Sequence, residues 1–173
     1  MIRLITKRFV IIALAVCLLM SAVSVPAMAK EESNNINQTN QTKIIKKAKS
    51  KLHSRYVWGA SGPNSFDCSG FVSWVMKKSG KKTTGVKFSR MTAQGIYNKY
   101  KKYSVGKNIK KAKTADIILL GNHRSTHNIY HVGIYYKKGK YIHASTPSTG
   151  VTISHIPKHK VASIVRLPGI AKN

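Results

Sequence analysis

Acidic residues are nearly missing from this chain: 4 Asp+Glu stand against 31 Lys+Arg in 173 residues, a formal charge of +27 at pH 7. The four are Glu31, Glu32, Asp67 and Asp116, so a domain that begins after the first two holds only a pair. A surface this one-sided is drawn to polyanions, and a solvated basic surface with no partner is the less favoured reading. Cysteine is almost as scarce, with Cys17 and Cys68 alone. Neither belongs to a CxxC pair, and His123 and His127, spaced i, i+4, fall in a Gly/Asn/Ser loop rather than on a helix. No metal centre and no cofactor are expected. No internal repeat is present, and the length suits one compact domain with tails.

The N-terminus reads as an export signal over residues 1–29. Arg3, Lys7 and Arg8 precede an apolar stretch from Phe9 to about Val25; Pro26 follows, then the small-x-small site Ala27-Met28-Ala29. The expected cut follows Ala29, and an uncleaved membrane anchor is the alternative, because the stretch is long enough to span. A lipid anchor on Cys17 is disfavoured by the bulky Val16 before it. Loss of the leader removes three positive charges and leaves +24. It also removes Cys17. Cys68 is then a lone thiol that cannot form an internal disulfide. Export also separates the chain from nucleic acid, which is not an expected partner.

Residues 30–42 (KEESNNINQTNQT) lack apolar periodicity and read as a flexible polar spacer. An amphipathic helix is expected from Lys43, with Ile44, Ile45, Ala48 and Leu52 on its apolar side. After a Gly/Pro loop, CSGFVSWVMKKSG predicts a helix burying Phe71, Val72, Val75 and Met76; Ser89–Tyr100 predicts another. From Asp116 onward the pattern becomes short β-rich runs: Asp116–Leu120, His131–Tyr136, Lys140–Ala144, Val151–His155 and Val161–Leu167. Helices first and strands second predict an α+β domain over residues 43–170, built on an antiparallel sheet of about five to six strands.

Cys68 follows the Gly/Pro loop at the expected first turn of a helix. Unpaired N–H groups and the helix dipole there favour a thiolate, so a lowered thiol pKa is expected. A buried inert cysteine is the bland reading. A nucleophile needs a base and an orienting group. His131 and His143 lie in consecutive strands joined by a turn, and could supply both. Whether they share a face depends on register, which the sequence leaves open. His53, His123, His127, His155 and His159 lie in polar or basic company and read as surface groups.

The same segments resemble the NlpC-type family of papain-like cell-wall peptidases. The likeness runs from about Lys43 to Leu167 and is carried by Tyr56-Val57-Trp58-Gly59, Phe66-Asp67-Cys68-Ser69-Gly70-Phe71-Val72, Ser89-Arg90-Met91-Thr92-Ala93-Gln94, Asp116-Ile117-Ile118, His131-Val132-Gly133-Ile134-Tyr135 and Ile142-His143-Ala144. It implies a papain-like fold with the nucleophile at a helix N-terminus. Cys68 would be the nucleophile, His131 the general base and His143 the orienting residue, with Tyr56 polarising the scissile carbonyl. Asp67, Ser69, Arg90 and Trp58 would bind the substrate peptide, Asp67 through a peptide ammonium group. Ala60 stands where a second glycine is usual, Thr114-Ala115 replace a Pro-Gly, and residues 121–130 are longer and richer in His.

The resemblance implies a secreted, wall-associated D,L-endopeptidase, a monomer, that cuts the γ-D-glutamyl–diamino acid bond of peptidoglycan stem peptides. Its charge would hold it to anionic, teichoic-acid-like wall polymers or an anionic membrane surface. The alternatives are an amidase or transacylase on the same scaffold, a cationic wall-binding protein, and a secreted effector.

Overall fold

The structure, a computed structural model, describes residues 25–170. The expected export signal falls mostly on residues 1–24, outside the described residues. Among the described residues no helix is long and apolar enough to cross a membrane.

The first helix, α1, spans Val25–Lys49. This corrects the expected flexible spacer at residues 30–42, which is helical. The helix contains no Gly, and its single Pro, Pro26, sits in the first turn, where a missing N–H is tolerated. Asn, Gln and Thr have modest helix propensity, but none of them breaks a helix. The chain divides into two units at Ile36, and the candidate site lies wholly in the unit that starts at Asn37. Within that unit the Asn40 and Gln41 amides donate to the carbonyls of Gly169 (2.7 Å) and Ile170 (3.1 Å). Ile44, Ile45 and Ala48 are buried. The helix therefore engages the domain from Asn40, earlier than its apolar periodicity indicates.

A short parallel pair, β1 (Arg55–Tyr56) and β2 (Ser65–Phe66), sets Tyr56 opposite Phe66, just before Asp67. Helix α2 (Cys68–Ser79) buries Phe71, Val72, Val75 and Met76 as their spacing predicts. Each such side chain contributes about 1.5–3 kcal/mol. Gly80 ends α2, the single turn α3 (Lys81–Thr84) follows, and α4 (Ala93–Tyr100) is capped by Thr92.

Five strands then form one antiparallel sheet in the order β6-β5-β4-β3-β7. They are β3 (Ile117–Gly121), β4 (Ile129–Lys137), β5 (Lys140–Ala144), β6 (Val151–His155) and β7 (Val161–Val165). Alternation divides the sheet's two faces. Ile117, Leu119, Val132, Ile134 and Ile142 pack with α2 and α4, while Ile118, Leu120, Tyr141 and Ile164 build a second cluster on the other side. Asp116 anchors the start of β3. It is buried, takes two hydrogen bonds from Arg166 (3.0 and 2.8 Å) and one from the backbone of Lys113 (2.7 Å). Burial pushes its carboxyl pKa up, and Arg166 and Lys113 oppose that rise. The fold is α+β.

Candidate active site

The site is built around the start of α2. Asp67 is its N-cap, and its Oδ1 accepts from the Gly70 N–H at 2.5 Å. Gly70 is required by a close approach: a Cβ there would lie 2.0 Å from the carbonyl oxygen of Ala60. The Asp67 N–H donates to that same carbonyl (2.9 Å), so the preceding loop is fastened across the helix start.

Cys68, the first residue of α2, is a free thiol with 8% of its surface exposed. It packs against β4, where its sulfur meets the backbone of Val132, the residue after His131. Burial pushes the thiol pKa up and the Asp67 carboxylate adds to the rise. Backbone hydrogen bonds at Val132, Ser69 and Cys68 itself pull the other way. The expected lowering at a helix start is therefore reversed, because desolvation and the adjacent carboxylate outweigh the helix N–H groups. In the resting site the sulfur is a thiol.

His131 and His143 share a face of the sheet, which settles the register that the sequence leaves open. The β4–β5 register pairs Ile134 with Ile142 and Tyr135 with Tyr141, so the histidines meet diagonally across Gly133. His131 Nε2 lies 2.7 Å from His143 Nδ1, with the rings nearly perpendicular (4.9 Å, 88°). Burial lowers the His131 pKa to about 4; burial and then the His131 charge lower that of His143 to about 3. Both rings are neutral at pH 7, so the 2.7 Å contact contains one N–H donor and one lone pair. If His131 is to accept a proton at Nδ1, its Nε2 must carry the hydrogen and donate to His143 Nδ1. His143 then carries its own hydrogen on Nε2, an atom that is buried and has no hydrogen-bond partner.

Three further residues hold this pair, and the sequence reading assigns none of them a role. Tyr141 stacks on the His143 ring (4.0 Å, 15°) and presents an edge to His131 (6.2 Å). Gly133 makes room for that stack, since a Cβ there would lie 2.4 Å from the Tyr141 ring and 2.9 Å from the His143 Cβ. Gln94 on α4 accepts from the Ile129 N–H (2.9 Å) and donates to the Thr126 carbonyl (3.0 Å), fixing the entry to β4 two residues before His131. Gln94 and Gly133 stand inside the motifs quoted above. Tyr141 carries no signal beyond being aromatic in a strand.

Among the remaining expected residues, Tyr56 is half-buried. Its hydroxyl pKa is raised by burial, then by Cys68 and Asp67, which puts it within the electrostatic reach of both. Asp67, Ser69 and Arg90 form a closed network. Ser69 donates to Asp67 Oδ1 (2.9 Å), Arg90 donates to Asp67 Oδ2 (2.6 Å) and Ser69 Oγ (2.9 Å), and the Gly59 N–H donates to Asp67 Oδ2 (3.0 Å). With Gly70, four donors fill the carboxylate's roughly four acceptor sites. Asp67 is buried and held from within, as the helix N-cap and as the partner of Arg90. Arg90 also donates to the Met91 carbonyl and is the member of this network open to solvent. Trp58 is 86% exposed. His53, His123, His127, His155 and His159 are exposed. Among the described residues no group of three His, Cys, Asp or Glu side chains could hold a metal ion.

A thiol at a helix start, packed on a strand that carries a paired histidine, defines an α+β domain of the cysteine–histidine class. Residues 53–165 match the model of the NlpC/P60 family, and the chain belongs to that family. It is 34% identical over 119 residues to the "Probable endopeptidase Cgl2188" of Corynebacterium glutamicum, covering 67% of this chain and 50% of that protein. It is 29% identical over 117 residues to the "Probable peptidoglycan endopeptidase LytE" of Bacillus subtilis, covering 68% of this chain and 30% of that one. The chain thus spans half or less of the length of these two relatives. Among solved structures, the NlpC/p60 domain of the peptidoglycan hydrolase SagA aligns with a TM-score of 0.55 and 28% identity, over 72% of this chain and 97% of that domain.

Proposed function

We propose that this chain is a secreted cysteine endopeptidase that hydrolyses peptidoglycan stem peptides at the γ-D-glutamyl–diamino acid bond. The observation that carries the reading is the 2.7 Å contact between His131 Nε2 and His143 Nδ1, on strands packed beside the Cys68 helix start. That contact leaves His131 Nδ1 as the nitrogen free for the thiol. Family membership and the likeness to the probable peptidoglycan endopeptidase LytE and the peptidoglycan hydrolase SagA support the substrate class.

In this reading His131 Nδ1 removes the thiol proton as sulfur attacks the amide carbonyl, since both groups start neutral. An S–C bond forms, and N–H groups at the start of α2, with the Tyr56 hydroxyl, stabilise the oxyanion. The C–N bond then breaks, and the leaving amine takes the proton from His131. Water, deprotonated by the same nitrogen, hydrolyses the thioester. His143 holds His131 in the competent tautomer. The excess positive charge keeps the enzyme on anionic wall polymer, an association that weakens as salt screens it beyond about 8 Å at physiological ionic strength.

The test is digestion of purified peptidoglycan followed by mass spectrometry of the fragments. New termini at D-glutamate and the diamino acid are expected with the wild type. New ends at other amides or at esters would instead indicate an amidase or transacylase, and no new termini would overturn the enzymatic reading.

A further inference from the structure

We propose that the cavity between the β4–β5 turn and the end of β6 binds the phosphodiester groups of a flexible polyanion, at a site separate from the thiol. The cavity measures about 690 Å³, and its floor is Ile109, Tyr135 and Ile156. These belong to the second apolar cluster, which also contains Tyr141, so the cavity shares a sheet face with the histidine pair and is set apart from it by distance along β4. Its walls are fixed by hydrogen bonds: the Gly139 N–H donates to the Tyr135 hydroxyl (3.3 Å) and the Ile156 N–H to the Gly139 carbonyl (2.9 Å). Lys138 lies seven residues beyond His131, and at about 3.3 Å per residue roughly 20 Å separates them along the strand. A polymer segment held here lies that far from the histidine pair.

Lys110, Lys138 and Lys158 surround this floor, with His155 and His159 beside them. No carboxylate lines the cavity. The domain's two acids, Asp67 and Asp116, are already paired with Arg90 and Arg166. Like charges around a concave surface repel one another, and a bound anion relieves that repulsion. A second basic cavity, lined by Lys43, Lys46, Lys47 and Lys78, lies by the C-terminal ends of α1 and α2. Helix carbonyls compensate its charge. Lys110 and Lys158 stand on single 3₁₀ turns (Ile109–Lys111 and Lys158–Lys160) and Lys138 in a hairpin turn, so they have no such compensation.

The shape selects the kind of anion. A phosphodiester chain carries its charge in the backbone, so its phosphates can meet the lysines while its carbon linkers lie on the apolar floor. A bilayer is too flat to enter the recess, and the exposed large apolar side chains Met28, Ile36, Val57, Trp58 and Tyr130 are not part of its lining. Stacking of nucleic-acid bases needs an open aromatic face. Tyr135 is half-buried, with its hydroxyl engaged.

The test measures binding of a fluorescent poly(glycerol phosphate) oligomer to the purified protein across a range of salt. The Lys110→Gln/Lys138→Gln/Lys158→Gln variant should bind about tenfold or more weakly, with its log K against log[salt] slope reduced by about 2. The corresponding triple Lys→Arg variant should bind like the wild type. A charge-matched control, Lys77→Gln/Lys78→Gln/Lys82→Gln, should change affinity less than about threefold. Equal losses in the pocket variant and the control would overturn the proposal, as would failure of the arginine variant to bind. With phosphatidylglycerol vesicles, pocket and control variants should weaken equally. A pocket-selective loss on vesicles but not on the oligomer would also overturn it. None of these outcomes depends on which bond the thiol cuts.

Discussion

Lowering the pH from 7.5 to 5 should destabilise the fold through the histidine pair. Both rings stay neutral in the folded state down to about pH 4 and about pH 3, because burial disfavours their charge. In the unfolded chain the same histidines protonate near their ordinary pKa of about 6.5. Between pH 6.5 and 4 the unfolded state therefore binds more protons, and stability falls as pH falls. At pH 5 the unfolded rings lie about 1.5 pH units below that pKa, worth about 2 kcal/mol for each ring at 1.36 kcal/mol per unit. His131 is only half-buried, so solvent screening reduces the sum for the pair to about 3 kcal/mol. Urea denaturation at pH 7.5, 6 and 5, on the wild type and on His131→Asn/His143→Asn, isolates the effect. Asp116 and the exposed histidines are common to both proteins and cancel in the difference. The wild type should lose about 3 kcal/mol more than the double variant. Equal losses would refute the buried, neutral pair.

Arg166→Ala should cost about 3–5 kcal/mol in chemical denaturation, because it leaves the buried Asp116 carboxylate without its arginine. Gly133→Ala should drive the Tyr141 ring off His143 and cut kcat more than tenfold with little change in KM, and Tyr141→Leu should do the same more mildly; ¹⁵N chemical shifts of His131 would report the lost tautomer preference. Asp67→Asn removes a carboxylate that raises the Cys68 pKa, so the pH profile of iodoacetamide alkylation should move to lower pH. An unmoved profile would exclude that coupling.

Local patterns carried most of the fold. The apolar spacing in α2 and the β-rich runs after Asp116 are visible without any tertiary information, and observed boundaries differ from the expected ones by a few residues. The part of α1 before Lys43 is hidden because residues 30–42 are polar throughout and carry no periodicity, and the anchors Asn40 and Gln41 find their acceptors 129 residues away. The thiol, both histidines and their chain order were legible, but the diagonal contact was not, because it depends on a β4–β5 register that only the folded sheet fixes. The direction of the Cys68 pKa is not legible in the sequence for a related reason. A helix start is a local feature, whereas burial against β4 is not. The Asp67 network was likewise invisible, since its partners Gly59 and Arg90 come from two separate loops.

The central claim is that Cys68 becomes acylated. Rapid acid quenching of the enzyme with a soluble stem-peptide substrate, followed by peptide mass mapping, tests it directly. The expected result is an acyl adduct on the peptide containing Cys68, absent from Cys68→Ala and strongly reduced in His131→Ala. Turnover with no adduct on Cys68, or undiminished turnover by Cys68→Ala, would contradict the account.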